Sequence, residues 1–313
     1  MEELYQAGKI KAIGVCNFMP DRLVDLVISN EIVLAVNQVE LQLFSQQEEL
    51  QRVMDQYHNC PVAWTFLQRD MLAFSAPVLA GIGPKYGKTT AQVILRWLFQ
   101  SRIVDIPRLV HAERIYQNFR TNDFMLFNKD MAEITGGPIL ILDVHSLKEI
   151  YRPTRSNLSN KEANEMEYTK LGTTDIEVSK LCVGCMSFGK AGTMHDWTLD
   201  KQQSEAVIRH ALDLGINFFD TANGYSAGTS EEYLGRAIKH NIARNKVVIA
   251  SKVYFNEAGY RGRPLCEKSK VVSNDWEQII STYISSIALI MKHPLKKPWR
   301  RCMSWSELVK CAL

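Results

Sequence analysis

Three titratable side chains of complementary type fall at the ends of two apolar runs. Asp220 closes Ile216-Asn217-Phe218-Phe219-Asp220, and Tyr225 follows five residues later in Thr221-Ala222-Asn223-Gly224-Tyr225. Lys252 stands 27 residues beyond Tyr225, in Val247-Val248-Ile249-Ala250-Ser251-Lys252-Val253. These types belong to proton-transfer chemistry. A tyrosine serves as an acid near neutral pH only if its pKa is lowered, and an adjacent lysine ammonium does that electrostatically. A lone Asp, Tyr or Lys on a strand is ordinarily structural, so the spacing of the set carries the reading.

Such groups need a rigid frame, and the hydrophobic pattern supplies one in two series. In residues 1–135, strand-like runs at 12–15, 35–41, 62–66 and 103–106 are separated by helix-like runs at 20–29, 46–56, 89–100 and 112–119. Strands separated by single helices imply βαβ units and a parallel sheet. A second series opens at Met166, with strands at 181–186, 216–220 and 247–252 and helices at 201–214 and 230–243. Between the series, 152–165 is polar and lacks apolar periodicity, as a linker does. The run 279–291 is apolar but far short of the ~20 residues that span a bilayer.

The 313 residues are 46% hydrophobic and 23% charged, enough for one barrel-sized domain or two smaller ones. Net charge is +3 with a pI near 8.4, and no cationic block exceeds the short 296–301 stretch. Nothing here demands a nucleic-acid or membrane partner. The first residues lack a basic segment followed by an apolar one, which leads to the expectation of a cytoplasmic chain. Cys182 and Cys185 form a CxxC spacing inside an apolar run without a second Cys/His pair, so buried thiols are expected and no metal site. Phosphate-loop, dinucleotide-fingerprint and zinc-protease motifs do not occur.

Residues 166–258 resemble the front of an aldo-keto reductase, on MEYTKLGTTDIEVSKLCVGCMSFG, INFFDTANGY, GTSEEYLGRAIK and VVIASKVYF. Residues 1–150 resemble the back half of a member of the diketogluconate-reductase type, on GVCNFMPDRL, AVNQVELQLF, KYGKTTAQVILRWL and Ile106-Pro107-Arg108. The resemblance implies an α/β fold of the (β/α)8 TIM-barrel type that binds NADPH and passes hydride to a small-molecule aldehyde or ketone. Chemistry in such barrels sits at the strand C-termini. By the same resemblance Tyr225 is the acid, Lys252 its activator and Asp220 the partner that holds Lys252. Asn17 and Gln38 match positions that grip the nicotinamide carboxamide, and Trp64 the aromatic that stacks on its ring. Arg108 and Arg114 match cations that meet the 2′-phosphate, a role that suits guanidinium, and Asn118 is a further cofactor-binding candidate. Cys16 stands where the family has serine.

The two halves stand in reversed order, which leads to a second set of expectations. Residues 1–137 form the cofactor-side half-barrel, 138–165 a tail and linker, 166–258 the catalytic half-barrel, and 259–313 an out-of-frame tail. The fourth barrel strand is then missing, and with it the histidine that orients the carbonyl. Reading residues 270–312 one base out of frame permits a family-like continuation. The single-codon residues Trp276 and Met291 then force Gly and Glu, Trp299 and Met303 permit Glu, and all four fit. Met166 would be the start of a downstream gene. The alternatives to an active reductase are a dead fusion remnant that at most binds NADP(H), and a scaffold built on an incomplete barrel. Sequencing the transcript across codons 138–313 checks the fusion: a stop codon before Met166 and a restored frame near 260 are expected, and an uninterrupted frame rejects it.

Overall fold

The computed structural model describes residues 1–64, 77–107, 110–136, 165–193, 196–253 and 286–291. In chain order the first half supplies α1 (Glu2–Gln6), β1 (Ala12–Cys16), α2 (Pro20–Ser29), β2 (Val36–Val39), α3 (Glu48–Gln56), β3 (Cys60–Trp64), α4 (Pro77–Tyr86), α5 (Thr90–Gln100), β4 (Val104–Ile106), α6 (Ala112–Phe119) and α7 (Asn128–Thr135). The second supplies β5 (Tyr168–Lys170), β6 (Glu177–Ser179), β7 (Val183–Gly184), α8 (Lys201–Asp213), β8 (Phe218–Asp220), α9 (Thr229–Asn241), β9 (Val248–Val253) and β10 (Ser286–Met291).

Among the described residues, eight strands pair in parallel in the order β4-β3-β2-β1-β10-β9-β8-β7. The sheet then meets itself. Asp105 of β4 bridges Leu181 in parallel, with Asp105 N–H donating to Lys180 O at 3.0 Å and Cys182 N–H to Asp105 O at 2.9 Å. This is a closed barrel, a form that leaves no strand edge open. β1, β2, β4 and β8 are buried along their whole length, as short apolar runs between helices must be. Ala12, Val36, Val62, Val104, Cys182, Phe218 and Ala250 belong to one core cluster.

Several helices carry their own start signals. α2 begins at Pro20 and buries Leu23 and Leu26. α5 and α8 open with reciprocal capping boxes, Thr89 with Gln92 and Asp200 with Gln203.

The expectation of a missing fourth strand is corrected. Ser286–Met291 runs parallel between β9 and β1, pairing Lys252 with Leu289 and Cys16 with Met291. Ser-Ile-Ala-Leu-Ile-Met is an apolar run of strand length, and measured only against a bilayer its fitness for a buried parallel strand goes unnoticed. The expected tail at 259–313 therefore contributes to the sheet.

A hairpin outside the barrel, β5 and β6, was not expected from the sequence. Its strands pair antiparallel, and Leu171 and Val178 join the same core cluster as the barrel strands. Gly172 takes φ +55, and a Cβ there would lie 2.6 Å from His58 O, so the turn touches the backbone ahead of β3. Glu167, just before the hairpin, accepts from Arg96 of α5 and from Lys180 at 2.8 Å. Arg96 is 4% exposed and Glu167 30%. Burial pushes the Glu167 carboxyl up, but Arg96 and Lys180 together hold it below its ordinary value.

A carboxyl with a depressed folded pKa contributes stability above its unfolded pKa and loses it as pH falls through the folded value. Glu167→Gln is therefore expected to lower unfolding free energy by about 2 kcal/mol near neutral pH. The gap should close as pH drops below the ordinary glutamate range. Urea unfolding of both proteins across pH measures it, and a gap independent of pH would show that the charge is not responsible.

Candidate active site

The C-terminal ends of five barrel strands present the polar set. Asp220 is the last residue of β8, Lys252 lies near the end of β9, Trp64 ends β3, Gln38 is in β2 and Asn17 follows β1. Side-chain contacts join them, since Gln38 reaches Asp220, Asp220 pairs with Lys252 and Asn17 accepts from Trp64. Parallel strands all point the same way, which is why residues so distant in sequence share one mouth.

Lys252 and Asp220 form an ion pair with side chains 3% and 5% exposed. The lysine also donates to Thr221 O at 3.0 Å. The second Asp220 oxygen, Oδ2, accepts from Gln38 Nε2 at 2.9 Å, and Gln38 Oε1 accepts from the Cys16 thiol at 3.6 Å. Burial alone would push Lys252 down. Asp220 more than offsets it, so the ammonium sits above its ordinary value and stays charged throughout the neutral range.

Tyr225 opens a short 3-10 turn, and Lys252 Nζ lies 5.1 Å from its ring centroid. The expectation of a lowered phenol pKa is corrected: burial raises it, the Lys252 charge opposes this without offsetting it, and the net shift is upward. The turn is tightly held. Ser226 and Ala227 both take left-handed backbone, at φ 48 and 53. Gly189 at φ +134 packs against Ser226, where an added Cβ would stand 2.3 Å from the serine Cβ. Behind it, Ser230 Oγ donates to Cys185 O at 2.7 Å, and Ser251 Oγ to the buried Glu231 at 2.6 Å. Cys182 and Cys185 are buried free thiols, with pKa raised well above the ordinary value by burial.

Asn17 takes φ 60, a conformation asparagine tolerates better than most residues. Its N–H donates to Gln38 O at 2.9 Å and its Oδ1 accepts from Trp64 Nε1 at 2.9 Å. Asn37 pins the same turn by accepting from Phe18 N–H and donating to Phe18 O. The structure thus brings together Asp220, Tyr225, Lys252, Asn17, Gln38 and Trp64. Arg114 and Asn118 share one face of α6, which starts just beyond β4 over the same strand ends; Arg114 is exposed and Asn118 half-buried. No hydrogen bond among the described residues links either to the cluster. Arg108 lies outside the described residues. Sequence reasoning missed the Gln38–Asp220 bond and the Thr221 carbonyl, and no local pattern could announce a contact 182 residues apart.

The aldo/keto reductase family model matches residues 1–136 and 180–312. The chain belongs to this family. It is 40% identical over 131 residues to an aldo-keto reductase of Mycolicibacterium smegmatis, covering 42% of this chain and 47% of the relative. Aldose reductase C of Dictyostelium discoideum is 41% identical over 135 residues, covering 43% of this chain and 42% of that one. The alignments span about half the length of the curated relatives. Among solved structures, the aldo/keto reductase from Brucella melitensis is 32% identical with a TM-score of 0.41, over 43% of this chain and 51% of that one.

A buried ion pair that loses one partner leaves a charge uncompensated. For this family member, Asp220→Asn is expected to lower stability by roughly 3 kcal/mol, and Lys252→Met by a similar amount. The double variant should lose less than the two singles added. Urea unfolding of the four proteins measures this, and strict additivity would show that the pair is not coupled.

Proposed function

We propose that the chain is an oxidoreductase that reduces a small aldehyde or ketone to an alcohol with NADPH. The observation that carries this reading is the buried Lys252–Asp220 pair with Tyr225 beside it at the barrel mouth. Tyr225 gives a proton to the carbonyl oxygen as that atom gains charge, and Lys252 stabilises the phenolate left behind. Asp220 keeps Lys252 protonated and in place. Bound NADPH supplies the hydride, so that hydride and proton together convert C=O to CH–OH.

The donor set fits that cofactor. Asn17 and Gln38 are carboxamides, matched in kind to the nicotinamide carboxamide, and the Trp64 indole, held by Asn17, offers an aromatic face. Arg114, and Arg108 from outside the described residues, are assigned to the 2′-phosphate, and Asn118 to cofactor binding. The reversed order of the halves, their origin in a fused reading frame and a cytoplasmic location belong to the same proposal. So does the absence of nucleic-acid and membrane partners.

One observation favours a second reading, NADP(H) binding without turnover. The strand in the slot next to β9, Ser286–Met291, carries no histidine, whereas the resemblance implies one there to orient the carbonyl.

Loss of nicotinamide absorbance with a small aldehyde tests both. The full chain is expected to turn over, and Tyr225→Phe to be slower by about 10²-fold or more, the usual contribution of a positioned acid. An equal rate in the variant would reject Tyr225 as the acid. Cofactor fluorescence changes without turnover would establish the second reading.

A further inference from the structure

In the cyclic strand order, β2 and β8 are separated by four steps in either direction. They face each other across the bore. The Gln38–Asp220 hydrogen bond therefore crosses the barrel, and it joins the first half of the chain to the second at the site. We propose that Gln38 is a positioning residue, a strut from β2 that fixes the Asp220 carboxylate and through it aims Lys252 at Tyr225. This inference rests on the reading of Tyr225 as the acid.

The orientation of the Gln38 amide follows from chemistry. An ionised carboxylate only accepts, so the group facing Asp220 Oδ2 at 2.9 Å is Nε2. The opposite end, Oε1, then faces the Cys16 thiol at 3.6 Å. Burial pushes that thiol up to about 12, so it keeps its proton and donates. A directed chain results, from Cys16 through Gln38 to Asp220, met from the other side by Lys252. Each Asp220 oxygen has its own donor, one neutral and one charged, which leaves the carboxylate a single orientation. Gln38 retains one N–H and further acceptor capacity, so holding Asp220 and meeting a nicotinamide carboxamide are compatible.

Without the strut, Asp220 loses the donor on Oδ2 and is free to rotate, and Lys252 follows it. Tyr225 is faced by Lys252, Asp220 and Cys16. Weaker alignment of the one cation leaves the phenol harder to ionise, and a carboxylate at position 38 adds a like charge in the same direction.

The test is the tyrosinate absorbance of the full chain titrated with alkali, taken as the difference from the same chain carrying Tyr225→Phe so that the other tyrosines cancel. Circular dichroism at each pH confines the reading to folded protein. Gln38→Met should move the Tyr225 transition upward by on the order of one pH unit, and Gln38→Glu further. A merely structural glutamine would change stability and leave this transition where it is. Should Gln38→Met fail to fold, Gln38→Glu, which keeps the length and a polar end, decides alone. Transitions that superimpose on the unsubstituted chain in the folding variants overturn the proposal. The titration needs neither cofactor nor turnover. A shifted transition in a chain that reduces no carbonyl keeps the strut and removes the acid role, whereas turnover with an unmoved transition does the reverse.

Discussion

The structure turns on one buried ion pair. Lys252 and Asp220 have both been taken out of water, and each charge in such a place requires an opposite charge and satisfied hydrogen bonds. The Thr221 carbonyl and the Gln38 amide supply the remaining partners. The pair and its partners come from β2, from β9 and from the end of β8, and a frame that brings distant strands to one end assembles them. The pair therefore demands the barrel, and the barrel's parallel strands provide the mouth at which the pair sits.

Closure itself is indifferent to chain order. The ring of eight strands has two seams between the halves, β1 against β10 and β4 against Leu181, and each is made by the same backbone pairing that joins strands within a half. Beneath them, Arg96, Glu167 and Lys180 tie the first half to the hairpin of the second. The slot between β9 and β1 asks only for an apolar strand of the right length, and Ser286–Met291 meets that demand. On the proposed function the same slot is asked for more, because a polar side chain at the strand end would orient the carbonyl. Sheet closure and chemistry are separate requirements, and a strand can meet the first without the second.

That separation explains what was legible in the sequence. The helices Pro20–Ser29 and Ala112–Phe119 are bounded as their amphipathic runs suggest, and β8 and β9 lie where the runs around Asp220 and Lys252 place them. Those elements carry strong local periodicity and clear stops. Tyr168–Ser179 lacks such a signal, since its strands have three residues each and are half exposed, so the hairpin escapes notice. α7, at Asn128–Thr135, is short and weakly patterned and escapes for a similar reason. Asp220, Tyr225 and Lys252 could be picked out because their spacing is local. The cross-barrel role of Gln38 could not, because register between opposite strands is a property of closure and leaves no trace in adjacent residues.

The acidity of Tyr225 shows how narrow the electrostatic balance is. The Lys252 ammonium, 5.1 Å from the ring centroid, favours the phenolate. Burial opposes it and is the larger effect. Burial wins here, and the phenol lies above its ordinary value despite its neighbour. The Coulomb attraction falls with distance while the burial penalty does not depend on where Lys252 points. Of these contributions the Lys252 attraction is the one that orientation changes, and the lysine is tied to the Asp220 carboxylate. A dry site makes the Lys252 charge effective and at the same time makes the tyrosine reluctant to ionise, so where that charge is held matters to the balance.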